Sequence, residues 1–165
     1  MQNYKDFVTS FVRQWNYTRS ETLEILNILD DQKLQFKPGA SKWQTLYSQF
    51  GCIARTQMVY ARAIEEGKMD YGWFHEPSLF SKSAFQTKSE ILKLLDRADK
   101  GWIEAIRKKR EDEKFKISWP GFNFSLPNHI TALISHERLH HGQILSYFTL
   151  AGFELPPKFK NNWSL

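Results

Sequence analysis

Two histidines one helical turn apart, His136 and His140, are the residues of this chain best suited to chemistry. Residues four apart share one face of an α-helix, so both imidazoles can reach a single cation. Neutral imidazoles suit zinc, nickel, iron or copper, and a third protein ligand plus water would leave a reactive position open. Leu133, Ile144 and Tyr147 lie in line with the pair, so we expect it to face the interior or a cleft. Unpaired imidazoles are costly to bury there, which favours a shared purpose over chance spacing.

The residue after His136 completes the pattern His-Glu-Xaa-Xaa-His, which occurs on the metal-binding helix of zinc proteases. In that setting Glu137 would be the general base. The surroundings argue against a protease, because no histidine follows His141 and the only later carboxylate side chain is Glu154. We therefore predict that Glu137 is a solvated or interhelical salt-bridging residue.

Three other residues are candidate ligands. Cys52, the single cysteine, is either a small core residue or a third ligand, since thiolate and imidazole together suit zinc. A single cysteine allows no intramolecular disulfide and implies no oxidising compartment. His75 and His129 are reserve ligands, although each is more simply explained as an ordinary polar residue of the surface or a cleft.

Helical spacing of apolar residues predicts four long helices around these residues. They are expected from Asn3 to about Asp31, with a bend near 17–20, from Thr45 to Glu66, from Thr87 or Ser89 to Arg110, and from Pro127 to Leu150. A long irregular connection is expected at 68–84, a short β-hairpin or extended arm at 115–124, and a tail against the surface at 156–165. The predicted fold class is all-α: one domain, 1–165, folded as an up-and-down four-helix bundle.

Composition restricts the classes of partner. The aromatic content of 15% argues against disorder, and the net charge of +5 is modest. The densest basic run, Arg107 to Arg110, is followed at once by three acidic residues, which is typical of a solvated helix end. Nucleic acid is therefore an unfavoured partner. No signal peptide and no membrane-spanning stretch is expected, so a cytoplasmic protein is the default.

Two segments resemble the DinB-like (DinB/YfiT-like) superfamily over nearly the whole chain. The first is Ser41, Lys42 and Trp43 followed by a helix that contains Gly-Cys-Ile-Ala at 51–54, similar to the family's Trp-led second helix with Gly-His-Ile-Ala. The second runs from His136 through His140 to Gln143, similar to the family signature His-Xaa-Xaa-Xaa-His-Arg-Gly-Gln.

The resemblance implies a four-helix bundle, a three-histidine site for a divalent metal (zinc or nickel) and frequent homodimers. Some relatives are thiol-dependent transferases or isomerases that use mycothiol, bacillithiol or glutathione, and many have no known activity. Residue by residue, His136 and His140 match the fourth-helix ligands, Cys52 falls where the second-helix histidine belongs, and His141 replaces the usual arginine.

Two functions remain as alternatives at this point. One is a metal-binding protein with ligands Cys52, His136 and His140, which acts as a thiol S-transferase on small electrophiles or as a related hydrolase. Its partners would be a small-molecule substrate and a low-molecular-weight thiol. The other is a non-catalytic small-molecule-binding or stress-associated bundle, in which the loss of the third histidine has left a degenerate site.

Overall fold

Four long helices make up most of the protein. The computed structural model describes residues 3–39, 42–76 and 87–163. Its elements in chain order are α1 (Tyr4–Asn27), α2 (Asp31–Leu34), α3 (Leu46–Glu66), a 3-10 helix (Tyr71–His75), α4 (Lys88–Lys109), β1 (Lys116–Trp119), β2 (Phe122–Ser125), α5 (Leu126–Ala151) and α6 (Pro157–Trp163). Helix α5 packs between α1 and α3, and α3 also packs against α4. The predicted all-α bundle and its hairpin are confirmed.

Local capping signals account for the boundaries of the long helices. Thr45, Thr87 and Ser125 are N-caps whose side chains accept hydrogen bonds from backbone amides of the first turn. Helices α3 and α5 end at Gly67 and Gly152, whose φ angles of 70° and 67° are left-handed. These limits agree with the sequence to within one or two residues.

The first helix is shorter than the sequence suggested. It ends at Asn27 rather than near Asp31, because Asp30 caps the separate short helix α2 by accepting a hydrogen bond from the Lys33 amide at 2.7 Å. Leu29 and Leu34 are buried and continue the helical spacing across this break, which hides it in the sequence. Helix α1 continues without interruption through 17–20, the residues where a bend is predicted.

The connection after α3 is more regular than expected. Backbone hydrogen bonds join Met69 and Gly67 to Ser118 of β1, at 2.7 and 2.9 Å. The hairpin turns at Gly121, which has a φ of 90°. Residues 77–84 of the expected irregular connection, and Ser41 of the Trp-led segment, lie outside the described residues.

The tail, expected to lie against the surface, inserts one aromatic side chain into the core while Pro157, Lys160 and Asn161 stay exposed. Helix α6 places Phe159, fully buried, in a cluster with Phe148 and Leu29. Phe159 and Trp163 lie four residues apart in this tail, but two aromatic residues in a short polar segment do not indicate what they pack against, so the burial of Phe159 follows from tertiary packing.

A polar layer divides the interior of the bundle. One apolar cluster surrounds Trp15, Trp102 and Ile130 near the hairpin, and a second surrounds Phe50, Leu95 and Tyr147 at the other end. Between them, all four long helices contribute polar side chains. We call this set the polar layer: Thr18, Arg19, Glu21, Thr22, Thr56, Gln57, Asp99, Glu137, His140 and His141.

Two apolar side chains at helical spacing face solvent. Phe7 and Ile103 fit the helical spacing of α1 and α4, but their side chains are 44% and 40% exposed. Among the described residues, no helix is long and apolar enough to cross a membrane.

Candidate metal centre

The three residues named as ligands from the sequence come together beside the polar layer. Cys52 lies on α3, while His136 and His140 lie one turn apart on α5. One ligand atom from each lies within 4.8 Å of the other two, and these residues form the one such group of metal-binding type found within the described residues. The two imidazole rings are 4.6 Å apart between centroids.

The spacing of the donor atoms suits a tetrahedral ion. Ideal zinc–nitrogen and zinc–sulfur bonds put neighbouring donors about 3.4–3.6 Å apart. Cys52 Sγ lies 4.0 Å from His136 Nε2, so a side-chain movement below about 1 Å would bring these donors to bonding distance. One thiolate and two imidazoles form a donor set typical of zinc, and three protein ligands leave a fourth position open.

The two histidines differ in how their second ring nitrogen is held. Nδ1 of His140 lies 2.7 Å from Oε1 of Gln49, a half-buried residue of α3. For His136, Nε2 lies 3.2 Å from Thr56 Oγ1, and Nδ1 is buried with no hydrogen-bond partner among the described residues. A buried nitrogen without a partner is costly in a purely structural site.

Burial keeps both histidines neutral and the cysteine protonated. It lowers the pKa of His136 and that of His140 to about 4, the latter with a smaller contribution from His136 itself. Burial also raises the pKa of the Cys52 thiol, and Arg55 and Thr56 only partly oppose this effect. Neutral imidazole is the form that binds metal, whereas the thiol must lose a proton to become a ligand.

Glu137 does not belong to this centre. Its buried carboxylate lies 3.3 Å from Nη1 of Arg19 on α1 and accepts a hydrogen bond from Thr22. Arg19 also contacts Asp99 of α4 at 3.1 Å. The predicted interhelical salt bridge is therefore confirmed, and the solvated alternative is wrong because Glu137 is only 1% exposed. Since this carboxylate is committed to Arg19, the match to the protease pattern carries no general base.

His141 joins the same ionic network. Its Nε2 lies 2.7 Å from Thr22 Oγ1, and the ring packs edge-on against Phe159. Burial, followed by the positive charges of Arg138 and Arg19, lowers the pKa of His141 to about 3. The neutral ring thus stands beside the ion pair without adding charge.

The reserve ligands lie elsewhere. His75 is exposed at the end of the 3-10 helix. His129, expected at the surface or in a cleft, is fully buried in the apolar cluster near the hairpin. Its ring stacks on Tyr60 at 4.5 Å, and its Nε2 donates to the Tyr60 carbonyl at 2.9 Å. Aromatic residues from other elements bury His129, and no pattern in the sequence predicts these neighbours.

Sequence reasoning missed the residues that surround the ligands. Gln49 and Thr56 stand three residues before and four after Cys52, so the helical repeat of α3 places them on the same face. Inspection of that face would have found them, because each is a polar residue beside a predicted ligand.

Comparisons with known proteins identify the family of this chain. The family model described as the DinB superfamily matches residues 14–144, well over half of the chain. The protein therefore belongs to the DinB superfamily. Among curated proteins, none matches the chain.

Two solved structures share the fold. A DinB-like protein from Bacillus cereus has a TM-score of 0.70 and 19% identity, over 88% of this chain and 93% of that one. A DinB-like protein from Bacillus subtilis has a TM-score of 0.62 and 15% identity, over 92% and 96%. At these identities the likeness shows a shared fold alone.

Proposed function

We propose that this protein binds one divalent transition metal, zinc in preference to nickel, through Cys52 Sγ and the Nε2 atoms of His136 and His140. The observation that carries the proposal is the convergence of these three donors within 4.8 Å from two different helices.

The proposed activity is the transfer of a low-molecular-weight thiol to a small electrophile. When bound, such an ion acts as a Lewis acid and lowers the pKa of a coordinated thiol or water, so that a nucleophile is available at neutral pH. Thiol transfer is favoured over hydrolysis because Glu137, the nearest candidate base in the sequence, is paired with Arg19.

A homodimer belongs to the same proposal. The exposed positions of α5, all within the described residues, are uncharged: Asn128, Thr131, Ser135, Leu139, Gly142, Ser146, Thr149 and Leu150. Small uncharged side chains let a second helix approach closely, and Leu139 and Leu150 are more than 60% exposed.

A cytoplasmic location is also proposed, since a reducing compartment would keep the Cys52 thiol available for metal.

Elemental analysis of untagged protein tests the metal. We expect about one zinc per chain, and a loss of zinc affinity of about 100-fold or more in His136→Ala and His140→Ala, because each substitution removes one of three ligands. His75→Ala is the matched control: it removes an exposed histidine outside the centre and should leave zinc binding unchanged. Cobalt substitution should produce a thiolate charge-transfer band that Cys52→Ala abolishes.

Turnover tests the chemistry. Chlorodinitrobenzene is offered with glutathione, bacillithiol or mycothiol, and we expect metal-dependent conjugation that His136→Ala abolishes. A wild-type protein without stoichiometric zinc, whose metal content is the same in His136→Ala, would refute the metal proposal and favour the non-catalytic bundle. Stoichiometric zinc without any thiol-dependent turnover would retain the centre and refute the transferase.

A further inference from the structure

A chain of three hydrogen bonds runs from the candidate metal centre to the start of α3. His140 Nδ1 lies 2.7 Å from Gln49 Oε1, and Gln49 Nε2 lies 3.2 Å from the Tyr147 hydroxyl. The Tyr147 hydroxyl lies 2.6 Å from the backbone carbonyl of Gln44. Helix α5 supplies His140 and Tyr147. Helix α3 supplies Gln49, and the segment that leads into α3 supplies the Gln44 carbonyl.

The backbone carbonyl sets the direction of every bond in this chain. A carbonyl only accepts, so the Tyr147 hydroxyl must donate its proton to Gln44. The tyrosine oxygen can then only accept from Gln49, which requires the Gln49 NH2 group on that side. Oε1 of Gln49 consequently faces His140 and accepts from Nδ1–H. Reversing the chain would leave two oxygens 2.6 Å apart with no proton between them.

We propose that Gln49 and Tyr147 are positioning residues that hold the proton of His140 on Nδ1 and so present the lone pair of Nε2 to the metal. The inference rests on the proposed metal function. Metal-binding histidines commonly donate their other N–H to an outer partner, which orients the ring and selects the tautomer. Here the partner is a neutral amide whose own orientation is selected by a tyrosine.

The tyrosine is well held for this task. Its side chain is fully buried, and Trp43 and Phe36 contact its ring edge-to-face at 5.2 and 6.3 Å. Trp43 immediately precedes Gln44, so the residue that supports the ring also leads into the carbonyl that accepts from it. The Trp-led entry to α3 thereby acquires a role at the metal centre. Among the described residues, Trp43 itself makes no ring contact or hydrogen bond with His136 or His140.

His136 offers a comparison within the same centre. Its Nε2 contacts Thr56 and Cys52 and its Nδ1 has no partner, so among the described residues no amide or carbonyl determines which nitrogen carries the proton. Gln143 also interacts with His140, and its contribution raises the pKa of that ring. Gln143 lies on α5 with the histidine, whereas Gln49 reaches it from α3, so the two glutamines can be separated by mutation.

The test uses metal-free protein labelled with 15N-histidine, with the His140 signals assigned by their loss in His140→Asn. At neutral pH the two ring nitrogens report directly which of them is protonated. We expect the Nδ1–H form in the wild type and a mixture in Gln49→Leu. Gln49→Glu, which keeps an acceptor, should retain the Nδ1–H form. Gln143→Leu removes the other glutamine that interacts with His140, and the proton is expected to stay on Nδ1 because Gln49 remains.

Zinc affinity, measured by competition with a chromophoric chelator, gives the second readout. Loss of an outer partner typically weakens binding by about 10- to 100-fold, which we expect for Gln49→Leu. Tyr147→Phe should weaken binding by about 3- to 10-fold, because Gln49 remains but can rotate. Tyr60→Phe, a buried tyrosine of α3 outside the centre, controls for loss of a hydroxyl. Gln49 is only half-buried, so its variants remain informative if Tyr147→Phe fails to fold.

The outcomes separate this inference from the proposed function. A wild-type His140 protonated on Nε2, or a Gln49→Leu variant with unchanged tautomer and zinc affinity, overturns the positioning role even if zinc binds. A tautomer that follows Gln49 as expected, in a protein that takes up no zinc, supports the control of the His140 proton by Gln49 and refutes the metal function.

Discussion

Burial of His129 is expected to make the protein sensitive to acid. The side chain is fully buried among Tyr60, Trp102 and Trp119, about two helical turns before His136 on α5. Burial lowers its pKa from 6.5 to about 4, and the hydrogen bond to the Tyr60 carbonyl only partly opposes this effect. We propose to replace it by glutamine, which does not titrate and can still donate to that carbonyl.

The direction of the effect follows from where the proton binds. Below about pH 6.5 the unfolded chain protonates His129, whereas the folded chain remains neutral until about pH 4. Stability from this group is therefore complete above about pH 6.5 and declines as the pH falls towards 4. The pKa shift limits the stability that the protein can lose through protonation of His129 to about 3.4 kcal/mol. Of this, about 2 kcal/mol is lost between about pH 7 and pH 5.

Urea unfolding of metal-free protein at the two pH values measures this loss. The other titrating groups are the same in wild type and His129→Gln, so the difference between their losses isolates His129. We expect the wild type to lose about 2 kcal/mol more than the variant. Equal losses, within about 0.5 kcal/mol, would refute the reasoning that burial keeps this ring neutral in the folded state.

Two further substitutions test the packing. Glu137→Gln should lower the free energy of unfolding, measured in urea, by about 3 kcal/mol. This value is near the small end for a broken buried ion pair, because Arg19 keeps its contact with Asp99. A matching loss of zinc affinity would contradict the separation of Glu137 from the centre. Phe159→Ala should cost about 3–4 kcal/mol in the same assay, since the ring is fully buried; a change below about 1 kcal/mol would show that the tail does not contribute to the core.

The candidate centre and the ionic part of the polar layer occupy neighbouring faces of α5. On one face of α5, Glu137 and His141 contact residues of α1, while on the neighbouring face His136 and His140 meet Cys52 and the polar side chains of α3. Residues that are adjacent in the sequence thus serve different partners, because successive residues of a helix point about 100° apart.

The sequence by itself determined the features that depend on neighbouring residues. Caps at Thr45, Thr87 and Ser125, and the stops at Gly67 and Gly152, act within one turn of backbone, so the limits of the long helices could be predicted from local chemistry. The pairing of His136 with His140 follows from helical geometry in the same way. Cys52, a candidate ligand by its chemistry and by the family resemblance, lies within reach of both.

Only the tertiary structure decided which residues support or isolate these groups. Glu137 pairs with Arg19 on another helix, His140 contacts Gln49, and His129 is buried in an aromatic cluster. Phe159 returns from the end of the chain to fill the core. Each of these contacts joins residues from elements far apart in the chain, and its existence depends on how whole helices pack. No local propensity or spacing encodes that arrangement, because its energy comes from surfaces that meet only when the bundle has formed.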